Sequence, residues 1–262
     1  MHAPLDPRVS YEVAGDGPLV VCVPGMADLR STFRFTAPAL IEAGYRVAII
    51  DLRGHGDSAT DFDRYDNPGN AEDVAALIDH LGGPAVIIGN SMGAAVGTLV
   101  AAERPDLVAG LVLVGPFVRN GKANALLRAV MRVATSAPLV GVTWKSYLPS
   151  LYRGTPPTDL PDYLAAVATG MKGHEKAISA TMRTSHDVAE AALPRVTADT
   201  LVVMGELDPD FPSPAGEAAW IAEQLGAEVL MVPDAGHYPH SQRPDLVVPA
   251  VTAFLQKVTR RA

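Results

Sequence analysis

Six short runs of apolar residues are separated along this chain by longer stretches with helical spacing. The runs lie at 19–23, 47–52, 85–89, 111–114, 201–204 and 228–232. Because their apolar residues are consecutive rather than alternating, the runs predict strands buried on both faces, as in a parallel sheet covered by helices. The alternation of strands and helices predicts an α/β fold with a doubly wound, mostly parallel sheet. Residues 8–13 are expected to add an edge strand.

Four helices are expected to cover this sheet. They lie at residues 70–81, 91–103, 214–225 and 245–258. In the first of them, Val74, Leu77, Ile78 and Leu81 share one helical face, and Asn70 is a residue type that can cap the N-terminus.

The interval 117–198 breaks this rhythm. It contains no clear buried strand, and its helical stretches are expected at 123–134, 161–169 and 174–186, with proline-rich connectors at 149–161. We interpret it as a helical cap over the carboxyl ends of the strands, where ligands bind in open α/β sheets. Residues 1–116 and 199–262 then form the core domain.

Composition narrows the possible functions. The 262 residues carry a formal net charge of -8, which disfavours a nucleic-acid partner because phosphate binding needs clustered Lys and Arg. Cys22 is the single cysteine, so an intrachain disulfide is impossible. The N-terminus lacks a leader pattern, and no run of about 18 apolar residues occurs. We therefore expect a cytoplasmic monomer or homodimer that acts on a small molecule and does not insert into a membrane.

The segment Gly89-Asn90-Ser91-Met92-Gly93 carries the strongest local signal. It fits G-x-S-x-G, which places a serine on a sharp turn between a strand and a helix. The apolar run before it and the helical pattern after it supply that context. Ser91 is therefore the candidate nucleophile.

A serine hydroxyl needs a base, and the base needs an acid that orients it. Among the seven histidines, His237 follows the last predicted strand by a short loop, and His240 is a weaker candidate. Asp208 follows the preceding strand and is the preferred acid, with Asp210 second and Glu206 third.

Stabilisation of a tetrahedral intermediate needs two N–H donors aimed at its oxyanion. The backbone N–H of Met92, directly after the nucleophile, is one candidate. The other should come from the loop after residues 19–23, where Pro24 has no N–H and Gly25 permits the turn. Met26 N–H is therefore the second candidate.

Five motifs in order along the chain resemble the α/β-hydrolase superfamily. They read VPGM, DLRGHGDS, GNSMG, GELD and GHYPH. The resemblance implies a Ser-Asp-His triad made of Ser91, Asp208 and His237, with no metal or organic cofactor. His55, inside DLRGHGDS, is implied to belong to a structural turn without a catalytic role. Pro24-Gly25 departs from the His-Gly that is usual in the family's oxyanion loop.

The expected activity is that of a carboxylesterase-like hydrolase of class EC 3.1.1. It would cleave an ester or lactone of a small to medium apolar substrate through an acyl-enzyme. Phe117, Trp144 and Tyr238 are the candidate pocket residues, chosen by position and residue type. Two alternatives stay open: a carbon–carbon bond hydrolase acting on meta-cleavage products, whose elbow GNSMG resembles, and a weakly catalytic small-molecule receptor.

Overall fold

The computed structural model describes residues 4–121 and 124–260 of the chain. Its centre is a seven-stranded sheet in the order β1-β3-β2-β4-β5-β6-β7. The strands are β1 (Tyr11–Ala14), β2 (Leu19–Val23), β3 (Arg46–Ile50), β4 (Ala85–Asn90), β5 (Val108–Val114), β6 (Thr200–Gly205) and β7 (Glu228–Val232). Only the β1–β3 pair is antiparallel, so the predicted mostly parallel sheet is confirmed.

Eleven α-helices are assigned within the described residues. They are α1 (Thr36–Glu42), α2 (Asn67–Leu81), α3 (Met92–Glu103), α4 (Ala125–Ala134), α5 (Ala137–Tyr147), α6 (Leu160–Gly170), α7 (Glu175–Thr181), α8 (Asp187–Glu190), α9 (Pro214–Leu225), α10 (Pro239–Gln242) and α11 (Pro244–Thr259). Alternate strand residues point to opposite faces: Val21 and Ile87 pack with α2, α3 and α9, whereas Cys22 and Ile88 pack with α1 and α11.

Two local predictions are wrong. Helix α2 begins three residues before Asn70, and its N-cap is Asp66, whose carboxylate accepts the Gly69 N–H at 2.9 Å. Pro68, the second residue of α2, does not weaken the helix, because backbone N–H groups in the first turn have no acceptor within the helix. Strand β7 is not buried on both faces, since Glu228 and Val229 are exposed at the edge of the sheet.

The interval 117–198 holds α4 to α8, and no strand is assigned in its described part. The sequence analysis did not predict α5. The helix expected at 174–186 ends at Thr181, and the next helix, α8, begins only at Asp187. Ala123, where the first cap helix was expected to start, lies outside the described residues. We propose that 117–198 forms the cap and that the remainder forms the core.

None of the described helices is by itself long and apolar enough to cross a bilayer. Helix α4 and the segment Ala137–Leu151 meet the length and hydropathy requirement together, but they are bent by 100° relative to each other.

Candidate active site

Ser91 occupies a sharp turn between β4 and α3. Its φ of 55° and ψ of -119° lie in a region that L-residues rarely adopt. The flanking glycines are required by packing: a Cβ on Gly89 would lie 2.3 Å from the Gly93 carbonyl oxygen, and one on Gly93 would lie 2.2 Å from the Val23 oxygen. The turn therefore keeps the serine strained and pressed against the end of β2.

The loop after β2 runs close beside the serine. A Cβ on Gly25 would lie 2.9 Å from Ser91 Cβ. The loop is held by His55, whose Nε2 accepts the Ala27 N–H and whose Nδ1 donates to the Arg53 oxygen, both at 2.9 Å. Burial lowers the pKa of His55 to about 4, so the ring stays neutral and can accept.

His237 is buried against Asp208. Its Nδ1 lies 2.8 Å from Asp208 Oδ2, and both side chains are almost wholly shielded from solvent. The ring follows β7 and the carboxylate follows β6, so two neighbouring strands bring together residues that are 29 positions apart. This bond fixes which ring nitrogen carries the hydrogen and leaves Nε2 as the acceptor.

The pKa of His237 reflects two opposed effects. Burial lowers it, but the charge and hydrogen bond of Asp208, together with the charges of Asp210 and Asp28, outweigh burial and raise the pKa to about 9. The pair therefore stabilises a positive imidazolium at this position, which is what a base that has accepted a proton becomes.

The weaker sequence candidates occupy other positions. Asp210 Oδ2 is 3.7 Å from His237 Nδ1, farther than Asp208, and Glu206 is exposed. His240 is buried away from the serine, with Nε2 3.2 Å from Thr32 Oγ1.

Asp208, Asp210 and His237 also place potential metal-ligand atoms within 4.8 Å of one another. These residues do not form a metal-binding motif in the sequence. Asp208 and His237 are 29 positions apart and are brought together because β6 and β7 are neighbouring strands. His237 Nδ1 already shares a hydrogen with Asp208, and a nitrogen that carries a hydrogen cannot ligate a metal. The geometry therefore favours an acid–base pair here over a metal site.

Ser91 and His237 line one cavity of about 500 Å³ under the cap. Met26 and all three candidate pocket residues, Phe117, Trp144 and Tyr238, line it as well. The remaining lining residues are Asn120, Gly121, Met131, Thr135, Val140, Thr143, Tyr147, Leu151, Met182, His186 and Asp210. Met92, the first residue of α3, is fully buried next to the serine. N–H groups in the first turn of a helix have no intrahelical acceptor, so the Met92 N–H has none within α3.

The sequence did not single out His186, which lines the same cavity. Asn67 Nδ2 donates to the Ser185 oxygen and lies 3.1 Å from His186 Nδ1. An amide nitrogen that donates to a carbonyl fixes the orientation of the amide, so Nδ1 is an acceptor and the ring hydrogen is on Nε2. Burial lowers the pKa of His186 to about 4, which keeps the ring neutral.

Asp28 is a second residue that the sequence did not single out. Its buried carboxylate lies in the loop after β2, accepts the Leu29 N–H at 2.8 Å and accepts a hydrogen bond from the hydroxyl of Tyr163 in the cap. Burial raises the pKa of Asp28, and the carboxylate in turn contributes to the raised pKa of His237. Asp28 belongs to no motif or periodic pattern in the sequence, so its burial could not be predicted from the sequence.

A family model described as the alpha/beta hydrolase family matches residues 20–250. This chain belongs to that family. Among curated relatives it is 32% identical to the dihydrolipoyllysine-residue acetyltransferase component of the acetoin cleaving system of Pseudomonas putida, covering 94% of this chain and 66% of that one. It is 31% identical to lipase LipV of Mycobacterium tuberculosis over 80% of this chain and 83% of the lipase.

Solved structures agree with the fold. A thermophilic esterase from Thermogutta terrifontis superposes with a TM-score of 0.78 at 26% identity, covering 95% of this chain and 93% of the esterase. The α/β hydrolase family member described here therefore has both a lipase and an esterase among its relatives.

Proposed function

We propose that this α/β hydrolase cleaves a carboxylic ester or lactone of a small to medium apolar substrate through an acyl-enzyme. One observation carries the proposal: a buried Asp208–His237 pair borders the cavity into which a strained serine opens. Such a pair is the arrangement that turns a serine hydroxyl into a nucleophile.

In this mechanism, Ser91 Oγ attacks the carbonyl carbon while His237 Nε2 takes the hydroxyl proton. The new imidazolium is stabilised by Asp208, and the N–H groups of Met26 and Met92 hold the oxyanion. His237 then protonates the leaving alkoxide as the carbon–oxygen bond breaks. Water releases the acyl group by the same steps, again with His237 as base.

The cavity supports an apolar substrate of modest size. Its walls are mainly aliphatic and aromatic, and a volume of about 500 Å³ falls in the range of small-molecule sites. Phe117 packs edge-on to His237, with ring centroids 5.8 Å apart, so it contacts both the base and the cavity. Polar contacts are concentrated in a few groups, among which we place His186 Nε2.

Covalent labelling tests the nucleophile directly. We expect a fluorophosphonate to add one phosphonyl group to the chain, at the peptide that contains Ser91, with loss of fluoride. Mass spectrometry of the digested protein locates the label. Labelling at any other serine, or none under conditions in which the protein is folded, would contradict the proposed mechanism.

A substrate panel separates the proposed function from its two alternatives. Turnover of short-chain p-nitrophenyl esters and lactones is expected, whereas a dienol-keto acid reports carbon–carbon hydrolysis. Tight binding of a small molecule with negligible turnover of every substrate would favour a receptor. Dialysis against a chelator should leave turnover unchanged, because no step uses a metal.

His186→Phe tests the polar contact in the cavity. An aromatic ring is retained, but the Nε2 hydrogen and the Nδ1 acceptor are lost, so kcat/KM should fall about tenfold to a hundredfold for an acyl chain bearing a hydroxyl or keto group. It should change little for the matching alkyl ester. Steady-state kinetics on the two esters give the comparison.

His174→Phe provides the matched control for this experiment. His174 Nδ1 donates to the Gly54 oxygen at 3.1 Å, and His174 does not line the cavity. An equal loss on both esters in the His186 variant would argue for a purely structural role.

A further inference from the structure

Helix α4 is amphipathic, but it buries none of its ten residues. Leu126 and Val133 are 74% and 63% exposed, and Val130, on the same side of the helix, is 55% exposed. A helix this short is marginal in water and is normally stabilised by packing of its apolar face. Helix α4 presents that face to solvent instead.

The exposed apolar surface continues onto α5. Leu139 and Val142 are 44% and 71% exposed. A groove between the two helices is lined by Ala129, Val130, Val133, Ala134, Leu139, Val142 and Thr143. Thr143 also lines the cavity that holds Ser91, so the groove adjoins the candidate active site.

Positive charge is concentrated in the part of the sequence that contains α4 and α5. Residues 107–158 contain six cationic side chains and no Asp or Glu, although the whole chain has a net charge of -8. The six are Arg119, Lys122, Arg128, Arg132, Lys145 and Arg153. Arg128 and Arg132 are exposed on α4, where helical spacing puts them on the side opposite Leu126, Val130 and Val133. Lys145 is exposed on α5, whereas Arg119 pairs with Glu217 of α9, so the cations of this surface are those of α4 and α5. They favour an anionic partner for the apolar surface.

We propose that the α4–α5 surface docks on a lipid surface that contains anionic headgroups. In this arrangement α4 lies along the interface with Leu126, Val130 and Val133 toward the acyl chains and its arginines toward the headgroups. The 100° bend between α4 and the segment after it suits a pair that lies on a bilayer rather than one that spans it.

Charge also distinguishes lipid from a second copy of the chain as the occupant. Across a two-fold axis the same segment meets itself, and residues 107–158 contain no Asp or Glu, so a second copy would bring further cations to this surface and no carboxylate from that segment. A layer of anionic headgroups instead supplies negative charge along the whole surface. The docking does not depend on ester hydrolysis and can be measured in a Ser91→Ala background, in which lipid is not consumed.

Vesicle co-sedimentation of the full-length protein tests the proposal. We expect binding to vesicles of phosphatidylcholine with phosphatidylglycerol, weaker binding to phosphatidylcholine alone, and loss of the difference at high salt. Arg132→Gln should weaken binding about fivefold, the effect of one cation near an anionic surface. Leu126→Glu should weaken it at least about tenfold.

Val229→Glu is the matched control, because Val229 is an exposed apolar residue on β7 outside the cap. It should bind vesicles as the parent does. Both glutamate variants should keep the parent's thermal melting temperature, since each residue is exposed. Equal binding of all variants, absence of binding to either vesicle, or a dimer that Leu126→Glu dissociates without any lipid binding would overturn the proposal.

Discussion

Replacing Ser91 with alanine is expected to lower kcat on a p-nitrophenyl ester by about 10⁴- to 10⁶-fold, because it removes the atom that we propose forms the acyl-enzyme. The residual rate should show no burst of p-nitrophenol. The free energy of unfolding should stay nearly the same or rise. Alanine keeps the glycine contacts that the turn requires and removes only a buried polar atom. Stopped-flow kinetics and a thermal melt measure the two effects.

Ser179→Ala is the control for that substitution. Ser179 is buried in α7 and does not line the cavity, so its loss should leave kcat within about twofold of the parent. If the Ser91 variant retained full activity, the acyl-enzyme mechanism would be wrong and a water-mediated reaction at the same cavity would have to replace it.

Asp208→Asn should have the next largest effect. It removes the charge that holds His237 in the productive tautomer, and kcat should fall about 10⁴-fold. In the parent, only the neutral ring accepts the serine proton, so kcat/KM should rise with pH until about 9, the raised pKa of His237. Without the Asp208 charge, burial dominates, so this inflection should move to lower pH while the plateau falls.

The Asp208–His237 pair is expected to make folding stability fall as pH rises, whereas kcat/KM rises over the same range. The folded-state pKa of His237 is raised above its ordinary value of 6.5, so the stabilisation is fully present below 6.5 and is lost as pH rises through about 9. Asp208→Asn should weaken this pH dependence of the thermal melt, because Asp208 makes the largest contribution to the raised pKa.

Asp210→Asn is the comparison that assigns the acid. Asp210 lies farther from the ring, donates its N–H to Asp208 Oδ1 at 3.0 Å and accepts the Tyr147 hydroxyl. Its substitution should lower kcat by about tenfold or less, through the loop that carries Asp208. Equal losses in the two variants would mean that the two carboxylates act as a unit.

The cap shows where interpretation of the sequence was incomplete. Apolar residues at helical spacing normally indicate a face packed on the core, and Met131, Trp144 and Tyr147 do line the cavity. Leu126 and Val133, with the same spacing, are exposed. Periodicity reports that a helix has an apolar side but carries no information about what covers that side.

Local chemistry along the chain was enough to predict the strands of the sheet, the serine on its glycine-flanked turn and the family, because buried parallel strands and tight turns each restrict residue types over a few positions. Tertiary structure alone showed that His186 borders the cavity, that Asp28 is buried in contact with Tyr163 and that α4 buries none of its residues. Each of these depends on contacts between residues distant in sequence, and a single sequence does not record which distant surfaces meet.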